Sequence, residues 1–186
     1  MKQIFIIAVA ICIIACNNAE KTPADETKEA TSTKAVGISN SSGYTPTYSS
    51  SFEMGDAKNA EAVLALWKDW DNGDLQPSKM LFADSVSFHS ADGSIIAGPR
   101  DSTVANAQNY RNMFTSVKST MHAIFPIKSA DKNEDWVCIW GTEVNTDKKG
   151  KIDSVHLQET WRFNKDGKID LVYQHSRVAK PQKATK

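Results

Sequence analysis

Three side chains near the C-terminus could do acid–base chemistry if the chain brings them together. They are Glu159, Tyr173 and His175, all within ETWRFNKDGKIDLVYQHSRV, residues 159–178. Among large apolar residues a carboxylate has its pKa raised by desolvation and becomes a usable general acid or base. A phenol can donate a hydrogen bond to a developing oxyanion. An imidazole titrates near ~6.5 and can shuttle a proton. The competing expectation is structural: Glu159 pairs across the strands with His175 or Arg177, because a buried carboxylate ordinarily needs a partner. Six large aromatics, Trp67, Trp70, Phe88, Phe114, Trp140 and Trp161, are candidates to line a ligand cleft. The alternative is that they fill a core, each burying enough area for ~2–3 kcal/mol. His89 and His122 lack H-x-H or H-x-x-x-H spacing, so neither a metal site nor a cofactor is expected. There is no Gly-rich phosphate loop, and no Ser-His-Asp pattern that spacing supports. Cys138 lies in an apolar run and reads as a small buried residue.

Alternation decides which of these groups share a wall. On one strand Val155, Leu157, Glu159, Trp161 and Phe163 point one way and His156, Gln158, Thr160 and Arg162 the other. The first set is apolar apart from Glu159 and should face the core. On the last strand Ile169, Leu171, Tyr173, His175 and Arg177 share a face. For the run 136–145 the parity is ambiguous: Trp136, Cys138, Trp140 and Thr142 stand against Val137, Ile139, Gly141 and Glu143. For 119–129 the odd-numbered set, with Met121, Ala123, Phe125 and Ile127, is the more apolar, and Pro126 could mark a bulge that resets the parity.

The elements that must position these groups follow from period. Ala60, Val63, Trp67 and Trp70 recur at helical steps, behind Asp56 as N-cap and ahead of Gly73 as a left-handed C-cap. Pro77 opens a short second helix through Phe82. Residues 85–90 alternate as a strand, Ala91-Asp92-Gly93-Ser94 turns, and residues 95–97 return. A further helix after Gly98-Pro99 carries Val104, Ala107, Tyr110, Phe114 and Val117 on one face. Four long strands then follow, at 119–129, 136–145, 152–163 and 168–178, joined by polar turns of which Asp166-Gly167 is a strong hairpin signal. Helices followed by an antiparallel meander make the fold class α+β. A twisted sheet of long strands can curl into a half-cone with a pocket at its mouth.

The chain opens MKQIFIIAVAICIIACNNAEK: one Lys, then an apolar run too short to span a bilayer comfortably. The run stops at Cys16. This resembles the bacterial lipobox, and the resemblance implies a signal peptide at 1–15 and a lipid on Cys16 that anchors the protein to a membrane of the bacterial cell envelope. Asn17 leans that placement toward the outer membrane. Residues 16–52 are rich in Ser, Thr, Ala, Lys and Glu, cannot offset their chain entropy, and read as a disordered tether. A domain at 53–180 and a tail at 181–186 complete the chain. Of the 186 residues, 22 are Lys or Arg and 22 Asp or Glu, a net charge of zero with no basic stripe, which argues against nucleic acid as a partner.

The first helix EAVLALWKDWDNGD, the strand FADSVSFHS, AGPRDSTVANAQNY opening a helix, and the ending WRFNKDGKIDLVYQH, in this order, resemble the NTF2-like superfamily, in particular its SnoaL-like branch. The resemblance implies a cystatin-like α+β cone, a deep conical pocket and a homodimer packed through the sheets. It does not imply one activity, because members include isomerases, cyclases, dehydratases, epoxide hydrolases and plain binding domains. The epoxide hydrolases' arginine–carboxylate trio and the isomerases' paired Tyr and Asp are not evident at matching positions. The first expectation is therefore a lipid-anchored domain that binds a small apolar or amphipathic ligand in its cone. The alternatives are an enzyme using Glu159, Tyr173 and His175, and a dimerising module with a filled cone.

Overall fold

The meander that ends the chain builds most of the sheet. The structure is a computed structural model that describes residues 35–38 and 43–179, all within the second of two units, 33–186, into which the chain divides. Its strands are β1 (Val36–Gly37), β2 (Ser51–Met54), β3 (Phe82–His89), β4 (Ile95–Pro99), β5 (Phe114–Ser129), β6 (Asp135–Asp147), β7 (Ile152–Phe163) and β8 (Ile169–Val178). Its helices are α1 (Ala57–Asn72) and α2 (Arg100–Arg111). The spatial order is β1-β2-β5-β6-β7-β8-β3-β4. Every neighbouring pair is antiparallel except β3 with β8, which run parallel. This is the α+β cone expected of the NTF2-like fold. Residues 1–34, 39–42 and 180–186, which include Cys16 and the signal peptide, lie outside the described residues.

α1 begins as its residue types require. The Asp56 side chain accepts from the Lys58 N–H, and Gly73 takes the left-handed conformation (φ 86°) that ends the helix. Ala60, Val63 and Leu66 press onto one face of the sheet against Val137, Ile139, Trp161, Phe163, Ile169 and Val172. This is the inner face. Arg111, at the end of α2, is buried and donates to the carbonyls of Trp70, Asp71 and Phe114. Two of those carbonyls belong to the last turn of α1, where a cation is favoured by the helix dipole and by the unsatisfied acceptors. A Cβ on residue 73 would lie 3.3 Å from the Arg111 guanidinium, so Gly73 serves both the turn and the close approach.

Several expected boundaries move. The second helix is only a 3-10 turn, Lys79–Leu81. The helix expected to run through Phe114 and Val117 ends at Arg111, and β5 starts at Phe114, because those residues pair with Asp147 and Asn145 at the far end of β6. Thr115 and Val117 are β-branched and fit a pleated surface better than a helix. The segment expected as a tether reaches into the fold: β1 and β2 extend the sheet edge, and Tyr48 packs edge-on against Trp136 at 4.9 Å.

Bulges set the faces, the first of them at Thr115, since Phe114 pairs with Asp147 and Ser116 with Thr146. β5 carries an extra residue at His122, since Met121 pairs with Gly141 while Ala123 pairs with Trp140. The reset of parity expected near Pro126 therefore comes four residues earlier. β8 carries an extra residue at Asp170, since Arg162 pairs with Leu171 and Phe163 with Ile169. Asp170 uses the bulge to take Arg162 in a two-point ion pair at 2.9 and 3.2 Å.

Candidate functional site

The two faces of the sheet sort the chemistry-bearing residues. Glu159 sits on the inner face opposite Ile139 and Gln174, beneath α1. It is 5% exposed. The Trp67 and Trp161 indoles donate to its Oε2 at 2.8 and 3.2 Å, and the Gln174 amide donates to Oε1 at 2.9 Å. These donors are all neutral. Burial pushes the carboxyl pKa up, three hydrogen bonds pull against it, and the charge of Glu143 adds to the rise. Neither His175 nor Arg177 pairs with Glu159, which corrects the expectation of an ion pair.

Glu143 is the second buried carboxylate of this wall and was hidden in the ambiguous strand. It accepts from the Trp70 indole at 2.7 Å and from Asn145 at 3.3 Å. Trp67 and Trp70 are three apart on α1, so one helix face offers two indole N–H groups to two carboxylates on β6 and β7. Gly141 makes room for the first: a Cβ there would meet the Thr120 carbonyl at 2.4 Å and the Trp67 ring at 3.1 Å.

Tyr173 and His175 are not on this wall. The bulge at Asp170 turns Val172 and Gln174 inward, toward Trp161 and Glu159, and sends Tyr173 and His175 to the outer face. Tyr173 there pairs its hydroxyl with that of Tyr48, whose pKa is pushed up to about 12 mainly by that hydrogen bond. The Tyr173 ring lies 4.6 Å from His89. His175 is exposed opposite Gln158. The three groups that together could have moved protons are divided by the thickness of the sheet.

The expected ligand-lining aromatics also divide. Trp161 is 6% exposed in the core, and Trp67 and Phe88 pack against it. Trp140 is on the outer face, 38% exposed, with Phe125 edge-on at 5.7 Å. Trp70 and Phe114 form a rim: Trp70 stacks on Tyr110 at 6.2 Å, and Tyr110 meets Phe114 edge-on at 5.4 Å. Tyr110 and the neighbouring Met113 are each 57% exposed. Tyr110 was read only as a helix-face residue; its exposure follows from α2 ending one residue later. Among the described residues no group of three or more His, Cys, Asp or Glu has a geometry that could hold a metal. No helix among them is long and apolar enough to cross a membrane.

No family model matches the chain, and no curated protein matches it in sequence. Solved structures do match in fold. A candidate SnoaL-like polyketide cyclase of Shewanella denitrificans superposes with a TM-score of 0.54 at 12% identity, over 66% of this chain and 92% of that one. An NTF2-like protein of unknown function from Burkholderia pseudomallei gives 0.52 at 17%, over 64% and 90%. An LEH-like epoxide hydrolase of M. tuberculosis gives 0.52 at 15%, over 65% and 84%. At these identities the likeness is one of fold: the chain has the NTF2-like, SnoaL-like architecture.

Proposed function

We propose that the chain is a binding domain of the bacterial cell envelope, anchored by a lipid on Cys16, which holds a small apolar or amphipathic molecule at the aromatic rim of its cone. The rim carries the reading. Trp70, Tyr110 and Phe114 form a continuous aromatic surface, and Tyr110 and Met113 are more than half exposed. Exposed apolar patches of this kind mark interaction sites. The rim is also held in place, by Glu143 on the Trp70 indole and by Arg111 on the carbonyls of Trp70 and Phe114. A preordered apolar surface loses little freedom when a ligand lands on it. Deeper in the cone, the side chains of α1 and the sheet already fill the space around Glu159.

Nile red, a neutral apolar probe, tests this. Its fluorescence should rise saturably with the protein, and Tyr110→Ser should weaken binding about tenfold, the loss of one buried aromatic contact. Unchanged binding in that variant sinks the rim assignment. Native mass spectrometry of the protein from its own membrane should show the diacylglyceryl mass on Cys16, and its absence sinks the anchor.

The raised pKa of Glu159 favours a second reading, an enzyme in which this buried carboxyl acts as general acid or base. Glu159 would act there without Tyr173 and His175. Turnover of any substrate that survives Glu159→Gln would remove that reading.

A further inference from the structure

The outer face holds an open groove of about 500 Å³ lined by His122, Trp140, His156, Gln158, His175 and Arg177. That volume is in the range of small-molecule sites. Strand register explains the gathering. Trp140, Gln158 and His175 form one cross-strand row, and Thr142, His156 and Arg177 form the next. The β5 bulge swings His122 beside Thr142. Three of the chain's four histidines therefore meet here from three different strands.

The ring orientations are set. Thr142 Oγ1 lies 3.3 Å from His122 Nε2 and 3.0 Å from His156 Nδ1. A hydroxyl has one proton, so at least one ring must donate to Thr142. His122 Nδ1 and His156 Nε2 are left for another partner. Trp140 is propped by Phe125 with part of its surface free. No Asp or Glu is among the described residues lining the groove. The other ionisable groups that the register places on this face are Lys118 on β5, Cys138 on β6, Arg162 with its Asp170 partner, Tyr173, and His89 on β3 opposite Tyr173. The surroundings thus offer donors, cationic charge and one aromatic face.

We propose that this groove binds a small aromatic carboxylate, its ring against Trp140 and its carboxylate on Arg177 and the facing imidazoles. Guanidinium takes a carboxylate through two parallel hydrogen bonds, and imidazole N–H groups add further donors. The site is independent of the rim, on the opposite face of the sheet, and takes an anion where the rim takes an apolar surface.

The test is a titration of the full chain with 2-naphthoate, following the histidine ring signals by NMR, with neutral 2-naphthylmethanol as control. Naphthoate should bind saturably and shift His122, His156 and His175 while leaving His89, which sits beside Tyr173, in place. Arg177→Gln should weaken binding about tenfold, as the loss of one charge-assisted pair does, and Arg177→Lys should recover only part, since it cannot bind in two-point fashion. The proposal fails if the alcohol binds as tightly as the acid, if Arg177→Gln binds unchanged, or if the three ring signals do not move. A groove already closed by a second copy of the chain would give that same flat titration and equally overturns it.

Discussion

The inner and outer faces of β6–β8 put their ionisable residues to opposite ends. Inside, Glu143 and Glu159 are buried and each carries indole donors. Outside, imidazoles and a guanidinium line an open groove. The inner carboxylates look reactive by residue type but are spent on holding tryptophans. The outer groups look like ordinary surface but keep unengaged nitrogens. Reactivity here depends on which hydrogen-bonding capacity is left over, and burial alone does not report that.

The comparison makes graded predictions. The largest effect belongs to Glu159→Leu, which strands two indole N–H groups and the Gln174 amide. Urea denaturation should show a loss of about 3–4 kcal/mol, with each orphaned buried donor costing about 1–3. A loss under about 1 kcal/mol would mean the inner wall is wet, and the contrast between faces would collapse. Next is Arg111→Met, which removes the donor to two carbonyls at the end of α1 and to that of Phe114 at the start of β5. A loss of about 2–3 kcal/mol is expected, and Nile red binding should weaken with it because the rim loses its anchor. Gly141→Ala follows, at about 2 kcal/mol from overpacking against Thr120 and Trp67, read as a lower denaturation midpoint. The smallest effect is on the other side: His175→Ala should change stability by less than about 0.5 kcal/mol, as exposed substitutions do. A large loss there would show that the outer face is as built-in as the inner.

Much of this was legible in the chain. The limits of β7 came directly from its alternation, and with them the inward direction of Glu159 and Trp161. Asp56 and Gly73 announced the ends of α1, because capping is a local matter of side-chain reach and permitted φ. The failures have one cause. A bulge adds a residue without any change in composition, so nothing at His122 or Asp170 signals that parity reverses there. Each slip carries every later side chain to the other face, and that is how Tyr173 and His175 parted from Glu159. Phe114 and Val117 were misplaced because a helix-spaced apolar pair is equally a pair of positions on a strand once the bulge at Thr115 is allowed. Gln174 and Glu143 were missed as members of the wall because polar residues in an inner position become visible only through their partners, Glu159 and Trp70.

The central claim is that Glu159 is a structural carboxyl, disfavoured as a charge in the folded state. A carboxyl whose folded pKa is raised contributes stability that is full at low pH, below about 4.3, and is lost as pH rises through the folded value. Glutamine keeps the acceptor for both indoles and can meet Gln174 by an amide flip, without any charge. Urea denaturation of the wild type and Glu159→Gln, compared from acid to alkaline pH, tests this most directly. The two should match in acid, and the glutamine variant should become the more stable as pH rises. A wild type at least as stable as the glutamine variant at alkaline pH would contradict the account.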